Sequence, residues 1–400
     1  MARFNNSTSA EYEVKDEQYV LFEQIETLFG VDSNHFFKHV LNERLSQVCV
    51  KNTSLRFKNI ATQLKSPHYL ACVDDPLVTV PSQWHHLEIS ALKLFDDWAQ
   101  AWCAFNIWLI KKKYQQQPNA LRLNDTPDFS QNEEDYVDGV IEEIENHTNL
   151  YYTLHCQYAL QLPDAAMLIN LSTFVWEQHW YEMLYEIDVS ARGTHFVLTQ
   201  IIGSLPLPVI VSTAKVNQNT DANNWLYFSP FFQTNCWRLI NQDSVKKRLI
   251  ELNLLSSAAC IQDTSSVNYE NTLWQNIIDH EKCCEIIRLT VSGKQNHKIF
   301  YLYLSQKRLM AQLQTRGFQI AFVVIEQPLM VHYYHSIQEC AYLPLSYSET
   351  SDSGYSAYKG LWFIDQLNKA LSECNYRSYK TGAINQLKRH RQHRQELNYA

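Results

Sequence analysis

Apolar residues recur three and four positions apart over Tyr19–Leu28 and His35–Val48, a spacing that predicts two amphipathic helices. Ile89–Tyr114 carries the same pattern over a longer stretch. It ends on Lys111, Lys112 and Lys113, cations suited to the negative end of a helix dipole. Residues 115–132 are polar and contain proline, so a loop is expected there. Glu133–Glu145 again spaces Val137, Val140, Ile141 and Ile144 as a helix would, and reads as an amphipathic helix with a solvated acidic face. Its acids lack the order and the glycine of a calcium-binding loop.

From about residue 150 the texture changes to short apolar runs rich in β-branched residues. Strands are expected at Thr194–Gln200, Pro208–Ala214, Glu285–Val291, Phe318–Ile325 and Ala341–Leu345. A helix-like stretch closing at Gly317 separates the third from the fourth, and a break at Pro328 followed by a short helix precedes the last. This mixture predicts an α/β (α+β) fold, a mixed sheet flanked by helices and preceded by a largely helical N-terminal region. The division expected is a helical region over 1–150, a sheet-bearing domain over 151–380 and a basic tail over 381–400. No internal repeat is visible. Residues 216–282, aromatic and polar, read as a large insertion whose place in the fold is open.

Composition narrows the chemistry. With 46% hydrophobic and 13% aromatic residues the chain can build substantial cores. A net charge of -8 argues against general nucleic-acid affinity, and the basic run Leu387–Arg394 reads as a solvated end. The N-terminus has no apolar signal-peptide core, and the most hydrophobic stretch, Trp98–Ile110, falls short of the roughly 20 residues of a membrane span. The ten cysteines form no CxxC or Cys/His spacing of a zinc site, which suits a reducing cytoplasm. Glycine numbers only nine, and neither GxGxxG nor GxxxxGK[ST] occurs, so dinucleotide-binding and P-loop folds are disfavoured.

Several candidate motifs dissolve on inspection. Gly354–Ala357 resembles the start of a serine nucleophile elbow, but Tyr358 stands where the second glycine belongs. His332 and His335 lack a metalloprotease glutamate between them, and His85 with His86 reads as structural. No metal and no cofactor are expected. The exception is Cys284–Val291, an apolar run that holds Glu285 and Arg288. Burying a carboxylate and a guanidinium is costly unless they pair with each other or serve a ligand.

The segment Cys284-Glu285-Ile286-Ile287-Arg288-Leu289-Thr290-Val291 resembles the E-x-x-R strand motif of acyl-homoserine-lactone synthases. Leu309–Gly317, the run FQIAFVVI after it, then Met330 and Tyr333–Tyr334 are similar to the helix, strand and helix that carry the acyl-thioester site of that family. Upstream, Phe174-x5-Trp180 and Tyr185-Glu186-Ile187-Asp188 look like its adenosylmethionine-binding stretch, and Lys215 falls at the place of a family basic residue. The similarity spans about residues 165–345. Length and the extra N-terminal half look most like the LuxM/AinS branch. Two positions depart from the shorter branch: Asn170 stands for an arginine, and Lys215 for another, without the bidentate fork.

The resemblance implies an N-acetyltransferase-like fold and the synthesis of a quorum-sensing autoinducer. An acyl chain passes from a thioester to the amine of S-adenosylmethionine, a substrate rather than a cofactor, and the lactone then closes with release of methylthioadenosine. Glu285 is expected as general base, and Arg288 either holds the substrate carboxylate or pairs with Glu285. Phe174, Trp180, Asp188 and Lys215 are expected at S-adenosylmethionine, and Val324, Glu326 and Met330 around the acyl chain. The loop Ser292–Lys298 lacks a Gly-rich pyrophosphate cradle. The donor expected is an acyl carrier protein thioester or acyl-CoA; the missing cradle suits the former, with Lys294, Lys298, Lys307 and Arg308 as its contacts. Residues three apart on a regular strand face opposite ways, so Glu285 and Arg288 share a pocket only across a bulge. The rivals are another acyltransferase of the same fold acting on a different amine, and a non-catalytic binding or regulatory protein.

Overall fold

The computed structural model describes residues 16–385, apart from 82–83, 119, 124–126, 219–224, 231, 235, 262–264, 326–333, 335–336, 339–340 and 350–355. Glu326, Met330, His332 and His335 therefore lie outside the described residues, as do Gly354, Tyr355 and the basic run at the C-terminus.

The expected helices of the first third are present as α1 (Asp16–Phe29) and α2 (Ser33–Lys51), followed by short α3 (Ile60–Leu64) and α4 (Pro67–Val73). The long helix expected over Ile89–Tyr114 is in fact two, α5 (His85–Leu94) and α6 (Trp98–Gln115). Between them Phe95 is extended, and the Asp97 side chain accepts from the Gln100 N–H, an N-cap that starts a new helix inside a continuous apolar pattern. Most of α6 is buried, including Trp98, Trp102, Phe105 and Trp108.

Glu133–Glu145 is not a helix. Tyr136–Ile141 forms strand β1, an outer strand of the sheet paired antiparallel with β4 (His195–Gln200), from Tyr136↔Gln200 to Ile141↔His195. Gly139 weakens a helix at its middle and the β-branched residues suit a strand, so pairing outweighs the helical spacing.

Among the described residues ten strands form one mixed sheet: β2 (Leu150–Thr153), β3 (Cys156–Gln161), β5 (Val209–Asn217), β6 (Arg238–Leu239), β7 (Cys283–Val291), β8 (Ile320–Ile325), β9 (Tyr342–Glu349) and β10 (Ser356–Phe363) complete it. The order is β1-β4-β5-β7-β8-β10-β9-β6, with β2 pairing β5 and β3 pairing β2. The mixed sheet flanked by helices is the architecture expected. Alternation assigns its faces. One face, carrying Cys284, Ile286, Ala321, Val323 and Trp362, is covered by α10 (Gln295–Thr315) and α11 (Ile364–Glu373). The opposite face has two covers. Towards β4 and β5 it packs on α7 (Leu162–Asn170) and the N-terminal helices, whose apolar cluster runs unbroken across residue 150. Towards β8 and β10 it is covered by the segment that follows β5, including α8 (Gln242–Glu251), α9 (Ser266–Gln275) and a 3-10 turn at Leu226–Phe228. The stretch read as an insertion is thus one layer of the core. Glu285 lies on this face, next to Phe322 of β8.

Candidate active site

β7 sits between antiparallel β5 and parallel β8. Along β5 the pairing steps from Thr213 to Lys215, two residues, while β7 steps from Thr290 to Ile287, three. The extra residue is taken up at Arg288, whose φ of 58° is left-handed. This is the bulge that a shared pocket for Glu285 and Arg288 requires, and a non-glycine residue in that conformation costs about 1–2 kcal/mol. Such strain persists only where surrounding contacts over-determine it.

Those contacts come from the 3-10 segment Tyr181–Ala191. Arg288 Nη1 donates to Ser190 Oγ and Nη2 to the Glu186 carbonyl at 2.6 Å, while Nε is buried without a partner among the described residues. The carbonyl is free because Glu186 breaks the helical geometry of its segment, with φ -117° and ψ 32°. Burial pushes the guanidinium down to about 10, opposed by the charges of Glu186 and Glu285, so it stays cationic at neutral pH.

Glu285 has no exposed surface. Its Oε2 accepts from Asn217 Nδ2 at 2.5 Å and Leu226 N at 3.1 Å, and its Oε1 from Tyr227 N at 2.5 Å. Burial pushes the carboxyl up to about 7, although these three donors and the Lys215 cation favour ionisation. A carboxylate has about four acceptor sites, so one remains. Lys215 donates to Val189 O at 3.1 Å and Arg192 O at 2.9 Å, and burial, then the Arg288 charge, bring it down to about 8. His195, opposite Lys215 on β4, is pushed down to about 3 by burial and by the Lys215 and Arg288 cations, and is neutral at pH 7. Glu285 and Arg288 do not hydrogen-bond each other. Their charges act on each other and on Lys215, between strand and 3-10 segment.

The aromatic candidates meet each other at the start of the Tyr181–Ala191 segment. Phe174, in a π-helical turn at Leu171–Glu177, meets Trp180 edge-on with ring centroids 5.5 Å apart. Trp180 in turn packs with Leu226 and Val324 around Phe232, Trp237 and Ala357. Asp188 is not brought to Arg288: its side chain is exposed, and the acid facing the guanidinium is Glu186. Three of the four basic residues expected at a carrier protein are held by the chain's own acids. Lys298 pairs with Glu177, Lys307 with Glu133 and Arg308 with Asp138.

Sequence reasoning missed Ser190, Asn217, and the Leu226 and Tyr227 N–H groups, and gave Glu186 no role of its own within its stretch. Only the Glu186-to-Ser190 neighbourhood of Asp188 carried a signal.

β7 and β8 pair only from Cys283–Ile320 to Ile286–Val323. Beyond that β7 follows β5, and Val324 and Ile325 follow β10, so the parallel strands part at their carboxyl ends. That is where open sheets of this kind accept ligands. Among the described residues there is no group of His, Cys, Asp and Glu that could hold a metal ion, and no helix long and apolar enough to cross a membrane.

The family profile described as acyl homoserine lactone synthase matches residues 14–392. The chain is 28% identical over 381 residues to the acyl-homoserine-lactone synthase LuxM of Vibrio atlanticus (strain LGP32), covering 95% of this chain and 96% of that protein. It is 28% identical over 344 residues to the acyl-homoserine-lactone synthase OpaM of Vibrio parahaemolyticus serotype O3:K6 (strain RIMD 2210633), covering 86% of each. To LuxM of Vibrio harveyi it is 27% identical over 366 residues, 92% of this chain and 91% of that one.

Proposed function

The chain belongs to the acyl-homoserine-lactone synthase family, as a LuxM-type enzyme of autoinducer synthesis, and on that premise we propose how its residues carry out the reaction. The acyl acceptor is the amine of S-adenosylmethionine, the donor is an acyl thioester, and the acceptor site lies where β7 meets the Tyr181–Ala191 segment. One observation supports this more than any other: the bulge at Arg288 sets a cation and the buried carboxylate of Glu285 on the same side of one strand.

The amine of S-adenosylmethionine is mostly protonated at neutral pH, so attack needs a base. With its carboxyl near 7, Glu285 has the match to operating pH that proton transfer favours. Its remaining lone pair receives the proton, through a water or after the Leu226–Phe228 turn shifts, since the carboxylate has no exposed surface. The amine nitrogen then bonds to the thioester carbonyl carbon, and collapse of the tetrahedral adduct expels the thiolate, which leaves as the thiol. Arg288 anchors the substrate carboxylate through Nε, its one nitrogen without a partner among the described residues. The sulfonium faces Phe174 and Trp180, whose ring faces attract a cation. Asp188, on the surface, is left with no part in that contact, and Glu186 takes the acidic role. Lactone closure uses the substrate's own carboxylate: its oxygen bonds to the γ-carbon as the carbon–sulfur bond breaks and methylthioadenosine departs, so positioning by Arg288 suffices. The acyl chain enters the cleft where β7 and β8 part and runs along Val324 towards Phe232 and Trp237.

The test is to incubate the purified chain with carboxyl-labelled S-adenosylmethionine and, in parallel, an acyl carrier protein thioester or an acyl-CoA. Labelled lactone and stoichiometric methylthioadenosine are expected from one donor. If no methylthioadenosine appears with either, the acceptor assignment fails. Acylation of a different amine would favour the rival acyltransferase.

A further inference from the structure

Lys359 lies in the middle of β10, paired with Val324 of β8 on one side and Ser346 of β9 on the other, and is 1% exposed. Its ammonium is ion-paired with Glu270 of α9, equally buried, and donates to Phe232 O at 3.3 Å. Glu270 also accepts from Ser346 Oγ at 2.6 Å. The layer around them is apolar, built from Trp225, Tyr227, Leu273, Phe322, Leu345 and Leu361. Cohesion alone does not call for a charge pair there, because replacing one with well-packed hydrophobic residues is often neutral or stabilising.

What the pair touches suggests its use. The ammonium sits 4.2 Å from the centroid of the Tyr227 ring and 5.4 Å from that of Trp237. Tyr227 is the residue whose backbone N–H donates to Glu285 at 2.5 Å. A desolvated cation over an aromatic face is attracted by it, so Lys359 pins from behind the turn that grips the carboxylate. The charge of Glu285 also acts on Lys359, supporting its ammonium form against a burial that pulls it down.

We propose that Lys359, held by Glu270, which Ser346 in turn orients, is a positioning residue for Glu285, fixing the Leu226–Phe228 turn against it and supplying a buried positive charge that favours the carboxylate. This rests on Glu285 being the base. The other groups facing Glu285 are Lys215 and Asn217 of β5, Cys284 and Arg288 of β7, and Leu226 and Tyr227 of the turn.

The experiment is the pH dependence of kcat/KM for lactone formation in the wild-type chain, Lys359→Met, the charge-free pair Lys359→Met/Glu270→Met, and Glu285→Gln. Removing the cation is expected to move the acid limb of the profile to higher pH by about half a unit to one unit. Activity then falls about three- to tenfold on the acid side, with the difference closing at alkaline pH. The double variant guards against loss of fold from leaving Glu270 unpaired. An inactive Glu285→Gln with an unmoved limb in both methionine variants would overturn the role of Lys359 and leave the base assignment standing. A fully active Glu285→Gln would remove the base assignment and, with it, this inference. Failure of both methionine variants to fold would assign the pair to cohesion instead, which also overturns it.

Discussion

Replacing Arg288 by glycine and by alanine separates the backbone requirement at the bulge from the chemistry of the guanidinium. Both substitutions remove the bonds to Ser190 Oγ and the Glu186 carbonyl, so that loss cancels between them. What differs is the residue's tolerance of φ 58°. Alanine in a left-handed conformation carries about 1–2 kcal/mol of strain that glycine does not. Against this, glycine loses roughly 0.5–1 kcal/mol more entropy on folding. Glycine should therefore exceed alanine by about 0.5–1 kcal/mol, the reverse of the usual order inside a strand. Urea denaturation followed by tryptophan fluorescence, with midpoints compared at equal slope, measures the difference. Both variants should be comparably inactive, because neither presents a cation to the substrate. If alanine is the more stable by the ordinary half to one kcal/mol, Arg288 is not left-handed and the shared pocket loses its geometric basis.

The raised carboxyl of Glu285 fixes a second outcome. Between pH 4.5 and about 7 the folded state holds a proton that the unfolded state has released, so wild-type stability should fall as pH rises through that window, by up to about 3 kcal/mol. Glu285→Gln does not titrate and should lack this fall, which paired urea midpoints at pH 5 and pH 7.5 would reveal or exclude. Glu182 accepts from Ile60 N at 2.9 Å and ties the segment that grips Arg288 to the N-terminal helices. Glu182→Ala leaves that buried N–H unpaired, at a cost of about 1–3 kcal/mol. It should raise KM for S-adenosylmethionine more than it lowers kcat, and an unchanged KM would detach the helical layer from the acceptor site. At Gly360 an added Cβ would come within 2.6 Å of Leu343 O and 2.7 Å of the Tyr342 hydroxyl. Gly360→Ala should lose about 1–3 kcal/mol, seen as a lower urea midpoint; wild-type stability would show that β9 and β10 are packed less closely.

Glu285 and Arg288 were legible in the sequence because charge in an apolar strand is a local anomaly, and the need for a bulge followed from strand geometry alone. The bulge is there, and so are the neighbouring strands expected at Thr194–Gln200, Pro208–Ala214 and Phe318–Ile325, within two residues at each end except at the end of β5. What failed depended on partners far along the chain. The valines and isoleucines of Glu133–Glu145 fit a helix in isolation, and only β4, some 60 residues on, makes them a strand. Ile89–Tyr114 hides a break because Asp97 caps a helix without interrupting the apolar spacing. Sequence likeness points to Asp188, yet it is the kink at Glu186 that turns a carbonyl towards Arg288, and no periodicity announces a kink. The donors to Glu285 come from Asn217, Leu226 and Tyr227, in or bordering a stretch with no assigned place. Two of the three are backbone N–H groups, which carry no side-chain signature at all.

The central claim is that Glu285 takes the proton from the acceptor amine. Single-turnover acylation of S-adenosylmethionine, measured from pH 5.5 to 9 with saturating acyl donor, addresses it most directly. The wild-type rate should rise through an apparent pKa near 7, the value to which burial raises this carboxyl. In Glu285→Gln the rate should fall by about 10²–10⁴ and that limb should disappear. A Glu285→Gln chain that keeps the same limb, at a rate within a few-fold of wild type, would contradict the account and assign the buried carboxylate to structure.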